Sequence, residues 1–459
     1  MNDTIVAIST PPGEGGIGIV RLSGEDSLSI VEKIFFPSNG GNVTSCPSHS
    51  IHHGFIRIPG KKETIDEVLV AVMKAPRTYT REDVVEISCH GGGMPLKKVL
   101  ELCLAEGARM AEPGEFTKRA FLNGRIDLSQ AEAVLDIIRS KTDASRKVAA
   151  EQLKGDLSKE IGRLRDSIID VLSNIELAID FTEEDVASAK VSDIDRRVDE
   201  LHLSVKRILE TADKGIVFRE GIMAVICGRP NVGKSSLMNA LLRHDRVIVT
   251  SVPGTTRDVI EESINICGVT VRLVDTAGII ETQDRVEMEG IKRSREKLEQ
   301  ADIVLFMVDL SRPISDQDEE IHNTVKSKNV IIVANKSDLP RAFDIEDARK
   351  RFGTRDILEI SALKGTGLEG IEDTISNRVL GGKTGTPEGP VITNLRHKQA
   401  LEKALEAVER GRKLRGKDHS GELLASDLNE AVYHLGCITG ESIEDDVLDR
   451  IFSQFCIGK

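Results

Sequence analysis

Gly228-Arg-Pro-Asn-Val-Gly233-Lys234-Ser235 sets two glycines, a lysine and a hydroxyl in the spacing GxxxxGK[ST]. Such a loop closes backbone N–H groups around phosphate oxygens when a strand enters it and a helix leaves it. The apolar run Ala224–Cys227 and the helical stretch Ser236–Leu242 supply both flanks. Lys234 then reaches the β- and γ-phosphates, the Ser235 hydroxyl ligates magnesium, and the helix dipole favours the anion. Three further segments follow. Asp275-Thr276-Ala277-Gly278 ends a strand, which suits an acid on the magnesium shell followed by a turn that senses the γ-phosphate. Asn335-Lys336-Ser337-Asp338 follows the strand Val330–Ala334, and Asp338 can accept both N–H donors that guanine offers and adenine lacks. Ser361-Ala362-Leu363 follows Ile357–Ile360 and suits a loop that supports the base. Four segments in this order predict a guanine-nucleotide site that also takes in Asn231, Val232, Gly233 and Ser236. Water activation needs another group: Ile279, directly after Asp275–Gly278, cannot orient water. Glu287, in Arg285-Val-Glu-Met-Glu-Gly290, is the nearest candidate, against the plainer reading of a solvated carboxylate.

Other glycine patterns carry less. Gly13-Glu-Gly15-Gly-Ile-Gly18 matches GxGxxG, but the strand-like Ile19–Leu22 follows where a dinucleotide site needs a helix. Gly365-Thr-Gly367-Leu-Glu-Gly370 falls in a loop of the nucleotide domain. His90-Gly-Gly-Gly93 has no GxSxG nucleophile to serve.

The elements that must position these residues come in four blocks. A chain of 459 residues suggests roughly three domains. Residues 1–120 alternate short β-like runs (Thr4–Ile8, Gly16–Leu22, Val68–Met73, Asp83–Ser88) with turns and one helix near Pro95–Glu106, an α+β pattern. In 121–216 the period changes: Leu153, Leu157, Ile161, Leu164, Ile168, Leu172, Ile175 and Ile179 recur every three or four residues, as do Ile194, Val198, Leu201, Val205 and Ile208. Residues 217–380 alternate near-continuous apolar strands with helices, as a parallel sheet covered on both faces requires. Residues 381–459 open on the linker-like Gly381–Pro390 and turn helical, with Leu423, Leu424, Leu428, Ala431, Val432 and Leu435 on one face. Helical flanks on both sides predict that the nucleotide domain is inserted into one helical domain.

Composition narrows the partners. The formal net charge of −13 argues against a general electrostatic grip on nucleic acid or anionic membrane. The 7 cysteines are scattered without a CxxC pair, against a zinc ribbon or disulfide framework and for a reducing compartment. No apolar run reaches spanning length and no signal pattern opens the chain, so a soluble cytoplasmic protein is expected. With Trp 0 and aromatics at 3%, a broad base-stacking surface is not expected.

With these motifs in hand, the whole chain resembles the bacterial tRNA uridine-modifying GTPase family MnmE (TrmE). The resemblance is carried by Asp3-Thr-Ile-Val-Ala, Pro11-Pro-Gly, Gly18-Ile-Val-Arg21-Leu-Ser-Gly, Pro113-Gly-Glu-Phe-Thr-Lys-Arg-Ala-Phe-Leu-Asn123, Asp127-Leu-Ser-Gln-Ala-Glu-Ala, the nucleotide motifs and the terminal Phe455-Cys456-Ile-Gly-Lys459. It implies an α+β folate-binding and dimerising amino-terminal domain, an all-α domain and an inserted α/β Ras-like P-loop GTPase domain. Within Thr250-Ser251-Val252-Pro253-Gly254-Thr255-Thr256, it implies that Thr256 joins Ser235 on magnesium. It implies too that Asn231, Thr250, the Val252 carbonyl and Thr255 hold a potassium ion against the phosphates, with Glu287 positioning water. A fixed cation there can replace an arginine finger. Arg21, Glu86, Arg125 and Lys459 are implied contacts for a 5-formyl- or methylene-tetrahydrofolate, with Arg125 standing where compared family members carry lysine. Cys456 is implied in the one-carbon chemistry, on a tail with apolar anchors at Ile451, Phe452, Phe455 and Ile457. The implied activity is potassium-stimulated GTP hydrolysis coupled to formation of 5-carboxymethylaminomethyluridine at tRNA position 34. The implied assembly is a homodimer joined in a heterotetramer by an FAD-dependent MnmG/GidA-family partner. The rival readings are a regulatory GTPase switch in ribosome assembly or stress response, with a folate domain that does no catalysis, and a folate-dependent aminomethyl transferase for which GTP is only a structural ligand.

Overall fold

The computed structural model describes residues 3–61, 63–180, 184–245, 262–275, 296–354, 356–382, 389–414 and 420–459. The amino-terminal part builds a sheet in the order β3-β4-β5-β6-β2-β1-β7. Its strands are β1 Ile5–Ile8, β2 Gly15–Ser23, β3 Phe35–Pro37, β4 Ser50–Arg57, β5 Thr64–Met73, β6 Val84–Gly91 and β7 Arg109–Met110. All pairings are antiparallel except the short parallel β1–β7 contact. Helices Ser27–Ile34 and Gly93–Ala105 cover one face through Ile30, Val31, Leu96 and Val99, against Val20, Leu22, Val70 and Ile87. Strand β4 has no counterpart in the sequence reading: Ser50-Ile-His-His-Gly-Phe-Ile-Arg57 alternates weakly, and cross-strand pairing with β3 and β5 extends it.

The helical periodicity becomes one core. Leu157, Ile161, Leu164, Ile168, Leu172 and Ile175 of Asp156–Asp180 pack with Ile194, Val198, Leu201 and Val205 of Glu184–Leu209. Leu401, Ala404 and Val408 of Leu395–Lys413 and Leu428, Ala431 and Leu435 of Ser420–Thr439 complete the same cluster. At roughly 1.5–3 kcal/mol per buried aliphatic side chain, this seam ties the two sequence-distant segments into one body. Two details differ from the periodic reading. Leu153 ends a separate helix, Asp143–Leu153, because Gly155 takes φ +83° and breaks the run before Asp156. Leu423 is 58% exposed, because it lies about 100° round the helix from Leu424, which packs on the core.

Between these helical segments lies a second sheet in the order β13-β12-β11-β8-β10-β9. It comprises β8 Ile222–Gly228, β9 Glu262–Ile266, β10 Val269–Asp275, β11 Ile303–Asp309, β12 Val330–Asn335 and β13 Ile357–Glu359. All neighbours are parallel except β9–β10, an antiparallel edge hairpin. β8 and β11 are buried along their whole lengths, the pattern of strands covered on both faces. After β8 the chain builds β9 and β10 on one side and then crosses to β11, β12 and β13 on the other, so the crevice beyond the carboxyl end of β8 is the place where an open α/β sheet accepts a ligand. Among the described residues no helix is long and apolar enough to cross a membrane.

Candidate functional site: a phosphate loop and a docked carboxy terminus

The loop 228–235 leaves the buried strand β8 and enters the helix Lys234–Asp245. Its backbone visits the left-handed region at Asn231 (φ 64°) and at Gly233 (φ 101°). A side chain at Gly233 would sit 2.3 Å from Nδ2 of Asn335, so the loop and the carboxyl end of β12 approach as only glycine permits. The Lys234 ammonium donates to the carbonyls of Gly228 and Arg229, each at 3.0 Å, which lays its stem across the loop. Burial pushes this ammonium below the usual lysine value while Asp275 pulls it back. The Ser235 hydroxyl donates to Asp275 Oδ2 at 3.0 Å, and Asp275 Oδ1 is buried with no partner among the described residues. Two hard oxygens side by side, one of them anionic and unsatisfied, fit a magnesium ion.

The base side is tied to the phosphate side through Asn335. Its buried amide donates to the Val232 carbonyl at 2.8 Å and accepts from the Ala362 N–H at 3.0 Å. One side chain therefore holds three of the motifs in register. Asp338 accepts from the buried Ser361 hydroxyl at 2.6 Å, and that bond keeps its carboxyl below the usual range, ionised and ready to accept. Lys336 adopts φ 68°, a strained backbone for a long side chain, and is held there by Asp309 Oδ2 at 2.5 Å. Ser236 lies exposed on the first turn of the helix.

Two supports escaped the sequence reading. Asp309 ends β11 as Asn335 ends β12, and burial would raise its carboxyl, yet bonds from Lys336 and Ser311 hold it below the usual range. Arg229 donates to the fully buried Asp318 at 2.7 Å, anchoring the phosphate loop on the helix Asp316–Val325. An acid directly after an apolar strand was the available signal for Asp309; Asp318 had none. Thr250, Ser251, Val252, Pro253, Gly254, Thr255, Thr256, Thr276, Ala277, Gly278 and Glu287 lie outside the described residues.

The second cluster assembles where the carboxy terminus meets the first sheet. Arg21 and Glu86 face each other in register on β2 and β6, paired at 2.7 Å. Arg21 also donates to the Gly458 carbonyl at 3.3 Å, and the Ser9 hydroxyl donates to the same oxygen at 3.2 Å. Ile457 bridges Pro113, and the Gly114 N–H donates to the Cys456 carbonyl at 3.4 Å. Lys459 is half-buried there; burial first, then Arg21, lowers its ammonium below the usual lysine value. Arg125 stacks over the Tyr79 ring at 4.8 Å, and Tyr79 hydrogen-bonds Thr117 at 2.9 Å. Tyr79 and Phe116, whose ring lies 5.7 Å from the Arg21 guanidinium, thus lie in the same cluster as these charged groups. The Cys456 thiol is free and exposed. The tail's anchors are Phe452 and Phe455, 2% and 5% exposed, whereas Ile457 is 52% exposed. Ile457 is therefore no apolar anchor, because its extended backbone bridge to Pro113 turns that side chain outward.

A sheet with this strand order, a phosphate loop at its switch point, a serine hydroxyl bonded to the aspartate that ends β10 and an ionised Asp338 just beyond β12 define a P-loop GTPase domain. Comparison with known proteins places the chain further. The profile of the MnmE helical domain matches residues 128–456, and that of the GTP-binding protein TrmE amino terminus matches residues 4–125. The tRNA modification GTPase MnmE of Carboxydothermus hydrogenoformans is 48% identical over 460 residues, covering 100% of both chains. That of Alkaliphilus oremlandii is 45% identical over 459 residues, again covering 100% of both. A solved structure of Era from Aquifex aeolicus is 31% identical, covers 44% of this chain and 69% of that one, and has a TM-score of 0.30. The chain belongs to the MnmE family of tRNA modification GTPases: it is a GTP hydrolase that takes part in tRNA modification.

Proposed function

We propose that this protein is a potassium-stimulated GTPase that, with an FAD-dependent MnmG/GidA-family partner, forms 5-carboxymethylaminomethyluridine at position 34 of certain tRNAs. It acts in the cytoplasm as a homodimer within a heterotetramer with that partner. The one-carbon unit comes from a tetrahydrofolate held by Arg21, Glu86, Arg125 and Lys459. The observation that carries this reading is the docking of the tail: Gly458 is bonded to Arg21 and Ser9, so Cys456 and Lys459 share a corner with the proposed folate contacts. A regulatory switch alone would have no use for that corner.

In the nucleotide site, Lys234 and the loop amides bind the phosphates, and Ser235, Asp275 and Thr256 hold magnesium, which neutralises charge developing on the transferred phosphoryl group. Asp338 selects guanine, with Asn335, Lys336, Ser361 and Ala362 fixing the pocket around it. Asn231, Thr250, Val252 and Thr255 hold potassium, and Glu287 positions the attacking water. Arg21 and Lys459 suit a glutamate carboxylate, while Glu86 suits a donor edge of the pterin. The nucleotide half is tested by GTP turnover in potassium chloride against sodium chloride at equal ionic strength. A large potassium stimulation is expected, and indifference to the cation overturns the potassium assignment. The folate half is tested by Cys456→Ser: intact tRNA modification with normal GTP hydrolysis would remove Cys456 from the chemistry.

A further inference from the structure

A cleft of about 480 Å³ opens where the GTPase sheet, the helical body and the carboxy-terminal tail meet, a volume in the roughly 300–1,000 Å³ range of small-ligand sites. It is distinct from both sites described above. Arg139, Lys141, Arg219 and Arg272 line it against two acids, Asp136 and Glu220. Asp136 is consumed by Arg219, whose Nε lies 2.8 Å from both carboxylate oxygens, and Glu220 pairs with the same arginine at 3.6 Å. The other three cations form no close ion pair among the described residues, although Asp136 feels the Arg139 charge at longer range. Among the described residues Arg139 donates to the Gln454 carbonyl at 2.7 Å, and Lys141 reaches the Ser263 hydroxyl at 3.5 Å. Arg272 is cross-strand from Ser263, beside Lys141, and its Nε is buried without a partner among the described residues. Leaving a buried guanidinium N–H unsatisfied costs about 1–3 kcal/mol or more, so the arrangement is that of a site whose counter-anion comes from outside the chain. A guanidinium and an ammonium side by side in a half-enclosed cleft match a phosphate group.

We infer that this cleft binds a phosphate group, carried either by a small phosphorylated molecule or by the backbone of an RNA. The ligand contacts strand β10, the turn joining helices Leu128–Arg139 and Asp143–Leu153, and the segment leading to Cys456. It thereby bridges the strand that ends at Asp275 and the tail.

The full-length protein, saturated with magnesium and GDP so that the phosphate loop is filled, is titrated calorimetrically with inorganic pyrophosphate. Binding is expected, weakened at least tenfold in the Arg272→Gln, Lys141→Ala double variant, with GDP affinity within twofold of the parent. Lys141→Ala alone, an exposed change that spares the fold, is expected to weaken it several-fold. In the second arm, unmodified tRNA transcript is titrated at two or more salt concentrations. If pyrophosphate does not bind but the double variant loses tenfold in tRNA affinity and its salt dependence falls by about one to two phosphate contacts, the phosphate belongs to RNA and the site stands. If neither pyrophosphate binding nor tRNA affinity responds in both variants, the inference is overturned.

Discussion

In the nucleotide domain the groups that meet lie at the carboxyl ends of adjacent parallel strands. β8 ends at the phosphate loop, β10 at Asp275, β11 at Asp309 and β12 at Asn335. At the tail corner the groups that meet are far apart in the chain: Ser9 and Gly458 are separated by 449 positions, and Arg21 and Gly458 by 437. The first site rests mainly on sheet register, which the strands enforce on their own, with Arg229 and Asp318 adding one anchor from a neighbouring helix. The second also needs the helical body to deliver its last helix, Asp445–Phe452, against Glu115–Leu122 so that Phe452 and Phe455 seat the tail. The two sites should therefore respond differently to damage elsewhere.

The sharpest way to separate them is the buried clasp of the helical body. Glu132 accepts from Asn394 at 2.9 Å and from Arg396 at 2.8 Å, lies 2.7 Å from His397 Nε2, and joins the segment before the GTPase domain to the one after it. Glu132→Ala leaves Arg396 and His397 without their carboxylate, and should destabilise the helical body by about 3–5 kcal/mol. Calorimetry should show its transition moving down while GDP affinity stays at the parent value; an equal loss of GDP affinity would show that the two regions are not independent. Lys234→Ala should reverse the pattern, lowering GTP turnover by about 10²–10³-fold through lost charge stabilisation of the phosphates. The thermal transition of the helical body should not move. Asp338→Asn replaces an acceptor pair by one acceptor and one donor. It should reduce the preference for GTP over ATP by about tenfold to a hundredfold, at about 1.5–3 kcal/mol per charged hydrogen bond, as read by competition binding.

Acid should again single out the helical body. Burial depresses His397, so the unfolded chain takes up that proton first and stability begins to fall as pH drops through about 6.5. Burial would raise Glu132, but His397 and Arg396 hold it at about 2, so the slope steepens as pH drops from the ordinary glutamate value of 4.5 towards 2. Unfolding midpoints measured from pH 7 downward should show both stages, with Glu132→Gln removing the second. The smallest effect belongs to the tail: Ile457→Ser should change stability by no more than about 0.5 kcal/mol, since that side chain is exposed. A loss as large as that of Phe455→Ala would put Ile457 back among the anchors.

How much could be read beforehand follows the same division. The apolar runs that became β8, β11 and β12 were legible because strands buried on both faces must be apolar throughout. Strands β4 and β9 were not, because they gain their extended form from a partner. Leu153 misled because a period of 3.6 survives across a two-residue helix break at Lys154 and Gly155. Lys234, Ser235, Asp275, Asn335 and Asp338 could be named from spacing, whereas Arg229 with Asp318, and Tyr79 beside Arg125, are pairings that no local pattern announces.

What the sequence determined by itself is what depends on neighbours in the chain: helix periods, strand hydrophobicity, and a phosphate loop whose glycines and lysine work within eight positions of one another. Tertiary structure alone decided which distant groups share an environment. Placing Gly458 on Arg21, Glu132 under His397 and Arg272 beside Lys141 requires closed loops of a hundred residues or more. The entropy of closing such loops is met by summed burial across whole domains rather than by any local signal.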